Sequence, residues 1–313
     1  MMRRLAFFVI ALLLGLPACA PRVAEMGPAI ATPAFTDNAF RTRDSLALGL
    51  QSWEAKAPKA VIVALHGMND YANAFAMPGA WLAERGVTTY AYDQRGFGRS
   101  PNPGLWAGED ALAADACDAV AFARSRHPGV PVFLLGESMG GAVAIAAMMD
   151  AEPAQADGVI LVAPAVWGWS SLPWSYQATL WIGAHTVPWA EVRPPRGLKI
   201  SPSDNIEMLR ARARDPLFRK DTRVDAVYGL ADLMEAAHEN AARISAPVLL
   251  LYGAHDEVIP KSPMDAVIAA MNPHPNVAVK LYPHGYHMLL RDLHAEEAWQ
   301  DIARFVTPPF KGV

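Results

Sequence analysis

The chain has 313 residues, of which 52% are hydrophobic and 19% charged, with a formal net charge of −4. That length can bury one large core with an insertion on it, and the slightly acidic balance leaves no basic footprint for nucleic acid. The two cysteines, Cys19 and Cys117, give no disulfide framework, and no His, Cys, Asp or Glu spacing reads as a metal site.

At the amino terminus Arg3 and Arg4 precede the apolar run Leu5 to Leu16. The run is too brief to span a bilayer comfortably and reads as an export segment. Leu16-Pro17-Ala18-Cys19 closes it, and this end resembles the bacterial lipoprotein processing box, whose cysteine is lipidated and heads the mature protein. Pro17 departs from the preferred residue there, and a plain secretory signal with an incidental cysteine is the alternative. On this reading residues 1–19 are the signal segment and residues 20–39, rich in Ala and Pro, are a tether. The protein is then expected on a membrane face through lipidated Cys19, on the periplasmic side. Ala20 is not the Asp that often retains lipoproteins in an inner membrane, which extends the expectation to the outer membrane.

Beyond the tether, continuous apolar runs alternate with helical stretches, the pattern of parallel strands covered on both faces. Ala60 to His66 is the first such strand and leads into Gly67-Met68. Val87 to Tyr92 is the second, followed by Asp93-Gln94-Arg95-Gly96-Phe97-Gly98-Arg99-Ser100. Its glycines lack the spacing of a dinucleotide loop, so the stretch reads as a structural loop that braces the turn at Ser138. Ala111 to Arg126 is helical and carries Cys117 as a small buried hydrophobe.

Val130 to Leu135 is a third strand. It runs into Gly136-Glu137-Ser138-Met139-Gly140, and an Ala-rich helix follows from Gly141 to Met149. A serine on a tight strand-to-helix turn needs small flanking residues, and the turn aims the first free amides of the helix at the hydroxyl. Those amides and the helix dipole favour the anion formed when a hydroxyl attacks an acyl carbon. Ser138 is therefore the candidate nucleophile, although a glycine-rich turn that merely packs a helix on a strand looks the same in isolation.

Residues 164–243 break the rhythm and read as an insertion between core segments 40–163 and 244–313. The insertion holds Trp167, Trp169, Trp174, Trp181 and Trp189, five of the nine tryptophans. Such a cluster over a site would build an apolar acyl pocket; the alternative is the insertion's own small core. Two more strands follow. Pro247 to Tyr252 runs into Gly253-Ala254-His255-Asp256, and Val277 to Tyr282 into His284-Gly285-Tyr286-His287. An acid and a histidine thus sit just past the carboxyl ends of parallel strands, where open α/β sheets build their sites, in the chain order Ser, Asp, His.

Taken together, these motifs resemble α/β-hydrolases of the serine type, in the monoacylglycerol lipase and lysophospholipase-like branch related to S33 serine aminopeptidases. The resemblance rests on His66-Gly67-Met68, Asp93 to Ser100, Gly136 to Gly141, and the pair Gly253 to Asp256 with Gly285 to His287. It implies an α/β-hydrolase fold, a mostly parallel central sheet flanked by helices, with residues 164–243 as an inserted, mainly helical cap. It implies Ser138 as nucleophile, Asp256 as acid and His287 as base, with the backbone amides of Met68 and Met139 as the oxyanion hole. His284 is the competing base, and the family's Gly two residues before its histidine selects His287. His255 reads as an exposed loop residue and His66 as a support for the oxyanion loop. Glu137 departs from the histidine frequent at that position.

The implied activity is hydrolysis of carboxylic esters, of monoacylglycerol or lysophospholipid-like lipids, with no cofactor. A short-chain esterase, a thioesterase or an acyltransferase are neighbouring readings. A lipoprotein that binds lipid without catalysis is the alternative of another class.

Overall fold

The computed structural model describes residues 20–193 and 200–307. Regular structure begins with three short antiparallel strands, β1 (Ala34–Phe35), β2 (Ala39–Arg41) and β3 (Ala47–Trp53). The expected apolar runs follow as β4 (Ala60–Leu65), β5 (Val87–Tyr92) and β6 (Val132–Glu137), and β7 (Gly158–Val162) joins them. Every residue of these four strands is buried. Burial on both faces is why they read as unbroken apolar stretches rather than as alternating ones.

Helices alternate with these strands: α1 (Ala76–Ala83), α2 (Glu109–Arg126) and α3 (Met139–Met149). Glu109 and Asp110 sit in the first turn of α2 and Arg124 and Arg126 in its last, each sign at the end of the dipole that favours it. Cys117 on this helix is half-buried, and burial pushes its thiol up to about 12. The inserted segment holds α4 (Trp174–Thr186), a two-residue ladder of β8 (Glu191–Val192) with β9 (Thr222–Arg223), and the helices α5 (Ile206–Arg214) and α6 (Val224–Asn240). The chain then returns to the sheet through β10 (Val248–Gly253), α7 (Lys261–Met271), β11 (Val277–Tyr282) and α8 (Ala295–Val306).

The strands form one sheet in the order β1-β2-β3-β5-β4-β6-β7-β10-β11, parallel from β5 to β11. Strand periodicity sends alternate residues to opposite faces. Val61, Val63 and Leu65 join the cluster under α2 and α3, while Ile62 and Ala64 join the one that contains Leu82 of α1 and Ile302 of α8. This is the α/β-hydrolase layout. Its consequence is that the loops after β4, β6, β10 and β11 all leave from the carboxyl edge of neighbouring parallel strands.

Two boundaries differ from the sequence reading. The inserted segment is mainly helical, but Leu233 and Ala237 of α6 and Ala241 just after it belong to the large core cluster, so that helix roots the cap in the core. Residues 20–39 do not hang free as a tether. The Ala24 amide donates to the Trp106 carbonyl at 2.7 Å, the Ile30 and Ala31 amides donate to the Arg43 carbonyl, and Phe35 is buried in the core. The segment is laid on the body because its backbone donors find carbonyl partners there.

Candidate active site

Ser138 sits between β6 and α3 with φ 55° and ψ −120°, a conformation that costs a non-glycine residue about 1–3 kcal/mol. The surroundings hold it there. Its amide donates to the Val162 carbonyl at 2.9 Å, and its carbonyl accepts from Gly141 and Ala165, each at 2.9 Å. The small residues of the motif are steric necessities. A Cβ at Gly136 would lie 2.1 Å from the Gly140 carbonyl oxygen, and one at Gly140 would lie 2.0 Å from that of Leu65. No such contact is possible, so only glycine lets β4, the turn and α3 approach this closely.

His287 and Asp256 arrive from the loops after β11 and β10. His287 Nε2 is 3.0 Å from Ser138 Oγ, and His287 Nδ1 is 2.9 Å from Asp256 Oδ2. The other carboxylate oxygen, Oδ1, accepts from the Val258 and Ile259 amides at 2.8 and 2.9 Å. Asp256 therefore caps its own turn and orients the histidine at once. The two loops are locked together, since the His255 amide donates to the Gly285 carbonyl at 2.9 Å. His284 is exposed, with its ring 5.7 Å from that of His294, and the exposed His255 stacks on Tyr286. Of the three histidines in these loops, the geometry joins His287 alone to Ser138.

His66 is fully buried, and burial lowers its pKa, so the ring is neutral at neutral pH. Its Nε2 accepts from the Gln94 amide at 2.9 Å, which leaves Nδ1–H to donate to the Gly67 carbonyl at 2.8 Å. The ring thus ties the loop after β4 to the loop after β5. Asp93 adds a second tie by accepting from the Ala72 amide at 2.9 Å. The stretch Asp93 to Ser100 accordingly braces the oxyanion loop, rather than the serine turn that the sequence suggested. Gly67 passes close enough that a Cβ there would lie 3.2 Å from Ser138 Cβ. Met68 follows it directly, and Met139 is the first residue of α3. Among the described residues, neither amide has a hydrogen-bond partner.

A buried charge cluster that the sequence did not reveal adjoins the serine. Arg291 donates to Asp70 and to Glu137, each at 2.9 Å, and Arg212 of the cap donates to Asp70 at 3.1 Å. Burial alone would raise the Asp70 carboxyl, but Arg291 and then Arg212 outweigh it and hold the group at about 2. Glu137, the residue before Ser138, thus has a cationic partner in the loop that carries His287.

Two cavities differ in character. One of about 190 Å³ touches Ser138 and His287 and is walled by Met68, Asp70, Glu137, Arg212 and Arg291. The other, of about 420 Å³, lies between α4 and α6 and is walled by Trp167, Leu172, Tyr176, Leu180, Val227 and Met234. Of the five tryptophans expected to build one pocket, only Trp167 walls this cavity, while Trp169 and Trp181 wall a separate one of about 410 Å³ with Gln177, Ala178 and Tyr228. Trp169 donates to Asp232, Trp181 stacks on His185, and Trp174 and Trp189 face solvent, the former 81% exposed. Cys19 lies outside the described residues.

A strained serine on a strand-to-helix turn, hydrogen-bonded through histidine to an acid at the edge of a parallel sheet, makes the chain an α/β-hydrolase. The family model described as serine aminopeptidase, S33, matches residues 56–294, and the chain belongs to that family. It is 25% identical over 244 residues to a monoglyceride lipase of Rattus norvegicus, covering 75% of this chain and 78% of that one. The crystal structure of a monoacylglycerol lipase from Paleococcus ferrophilus superposes with a TM-score of 0.66 at 24% identity, over 83% of this chain and 98% of its own. A thermostable carboxyl esterase from Bacillus coagulans, in complex with glycerol, gives 0.70 at 19% identity, over 87% and 96%.

Proposed function

We propose that the protein hydrolyses carboxylic esters of single-chain lipids of the monoacylglycerol type through an acyl-enzyme on Ser138. The observation that carries this is the pairing of a small cavity at Ser138, with charged side chains in its wall, with a larger apolar one under the cap. Trp167 in the wall of the apolar cavity lies two positions along the chain from Ala165, whose amide bonds the Ser138 carbonyl. A polar alcohol fits the first cavity and an acyl chain the second. The names of the rat and archaeal relatives point the same way.

In this mechanism His287 Nε2 takes the proton of Ser138 as its oxygen attacks the ester carbonyl. Asp256 holds the imidazole in the required tautomer and stabilises its charged form. The developing oxyanion is met by the Met68 and Met139 amides. Collapse returns the proton from His287 to the departing alcohol, and water then releases the acyl group by the same steps.

The test is kcat/KM across acyl esters from about two to sixteen carbons, assayed below their aggregation limits. Each methylene buried in the apolar cavity contributes up to ~0.8 kcal/mol, so the wild-type profile rises with chain length until the cavity is full. Trp167→Ala flattens that rise and spares acetyl esters, whereas Trp174→Ala, on the solvent side, leaves the profile unchanged. A wild-type profile that peaks at acetyl and declines rejects the lipid substrate and leaves a short-chain esterase.

The membrane anchor belongs to the same proposal. The described chain starts beside the cap, where the Arg22 amide donates to Asp225 and the Asp225 amide to the Pro188 carbonyl, next to the exposed Trp189. A lipid on Cys19, three residues before Arg22, would hold this side toward a bilayer, and two acyl chains give stable anchoring. Native protein should then partition with membranes and be released by detergent, while Cys19→Ser becomes soluble or stays unprocessed. Mass spectrometry that finds an unmodified amino terminus downstream of Cys19 leaves only a plain signal peptide.

A further inference from the structure

The loop that follows Met68 is held from two sides. From the core, His66 and Asp93 fix its ends. From the cap, three consecutive residues are gripped by one short segment. The Asn69 side chain donates to Thr222 Oγ at 2.6 Å, and the Asn69 carbonyl accepts from the Arg219 amide at 3.0 Å. Asp70 accepts from Arg212 at 3.1 Å, and the Tyr71 hydroxyl donates to Asp215 at 2.5 Å. Asn69 itself stands at φ 64°, a left-handed conformation that a polar side chain with partners can hold.

The gripping side is itself braced. The Arg212 guanidinium lies 3.6 Å from the Phe218 ring centroid, and the second Asp215 oxygen accepts from the Leu217 amide at 2.8 Å. Thr222 sits in the ladder between β8 and β9. An oxyanion hole works only when its donors already point to where charge develops. Core contacts hold the ends of the loop and, through Arg291, Asp70, while the four cap contacts cover all three residues next to the donor.

We propose that the cap segment from Arg212 to Thr222 is a positioning element of the oxyanion hole. Through Asn69, Asp70 and Tyr71 it sets the Met68 amide, so that a seated cap and a formed hole are one state of the enzyme. Tyr71, Asn69 and Thr222 are then positioning residues that touch no substrate, and the cap contributes to kcat even for esters too small to occupy its apolar cavity. The inference rests on Ser138 being the nucleophile.

The experiment uses the full chain with Tyr71→Phe, Thr222→Val and the double variant, each of which removes hydroxyl groups and little volume. Turnover is measured with 4-nitrophenyl butyrate. Affinity is measured for a trifluoromethyl ketone, whose adduct with the serine carries an oxyanion. Deleting an oxyanion donor lowers kcat by ~10²–10³-fold, so loosening one should lower it by ~10–100-fold in the double variant. KM stays within about a factor of two, as an interaction made only in the transition state requires. Ketone affinity falls in step with kcat, while the pH midpoint of kcat/KM does not move, because the base is untouched.

Thr186→Val is the control. It removes an exposed hydroxyl that bonds only the Ile182 carbonyl within α4, outside the gripping segment, and it keeps wild-type kcat. A folded double variant with wild-type kcat and ketone affinity overturns the proposal, as does a rise in KM with kcat unchanged. Ester turnover that survives Ser138→Ala would overturn the underlying serine reading, a separate result from either of these.

Discussion

Ser138→Ala abolishes ester turnover and covalent labelling by a fluorophosphonate while leaving the fold intact, because it removes one hydroxyl from a turn whose strain is held by backbone bonds to Val162, Gly141 and Ala165. His287→Ala lowers kcat by ~10⁴-fold or more, the scale on which members of a serine triad act. His284→Ala is mild, since that ring is exposed and bonds to neither Ser138 nor Asp256. Asp256→Asn separates the two duties of the acid. The asparagine carbonyl can still accept from Val258 and Ile259 and keep the turn, but its amide then faces His287 Nδ1 and forces the wrong tautomer. The expected loss is ~10⁴-fold in kcat with a nearly unchanged melting temperature. Wild-type labelling of a folded Ser138→Ala protein, or a larger loss at His284 than at His287, would sink the assignment.

Different parts of the fold and site left different traces in the sequence. The serine turn was legible because its sterics admit almost nothing but glycine at Gly136 and Gly140, and both glycines fall within five residues. The parallel strands were legible because doubly buried strands must be continuously apolar, as β4 and β10 are. The edge strands were not. β1 and β2 have two and three residues and are only partly buried, too short for any period to show. The charge cluster was invisible because Arg291 finds Asp70 across 221 positions and Glu137 across 154, and nothing local marks a long-range pair.

The tryptophans misled for a geometric reason. Closeness in sequence is not closeness in space on a helix. In α4 Tyr176, Thr179, Leu180 and Gly183 share the face that lines the apolar cavity, while Trp174 and Trp181, seven apart, share one that points outward. The apolar cavity is built from the less conspicuous residues. Trp167 lines it from the strand-to-cap connection, before α4 begins.

Arg291→Met should be the most damaging substitution outside the triad. The guanidinium is 7% exposed and is the partner that Asp70 and Glu137 share, in the loop that carries His287. Methionine fills similar volume but leaves one carboxylate with Arg212 alone and the other with no cation. Removing one partner of a buried ion pair costs about 3–5 kcal/mol. The sign with pH follows from Asp70. Its folded pKa of about 2 lies below the ordinary 3.8, so its contribution is fully present above pH ~4 and is lost as pH falls through the folded value. In the variant, burial of Asp70 is opposed by Arg212 without Arg291, so its carboxyl shifts upward and takes up a proton more readily. Between pH 7 and pH 4 acid therefore leaves this wild-type contribution in place while it relieves the variant. The gap in melting temperature between them should be wide at pH 7 and narrow toward pH 4. Adding Glu137→Gln to Arg291→Met should recover part of the loss at pH 7, since a neutral amide is far cheaper to bury than an unpaired carboxylate. Thermal denaturation of the three variants and the wild type at both pH values decides it. A gap that is the same at pH 4 and pH 7 would mean that Arg291 acts through packing, and not as the counter-charge that lets two carboxylates sit beside the nucleophile.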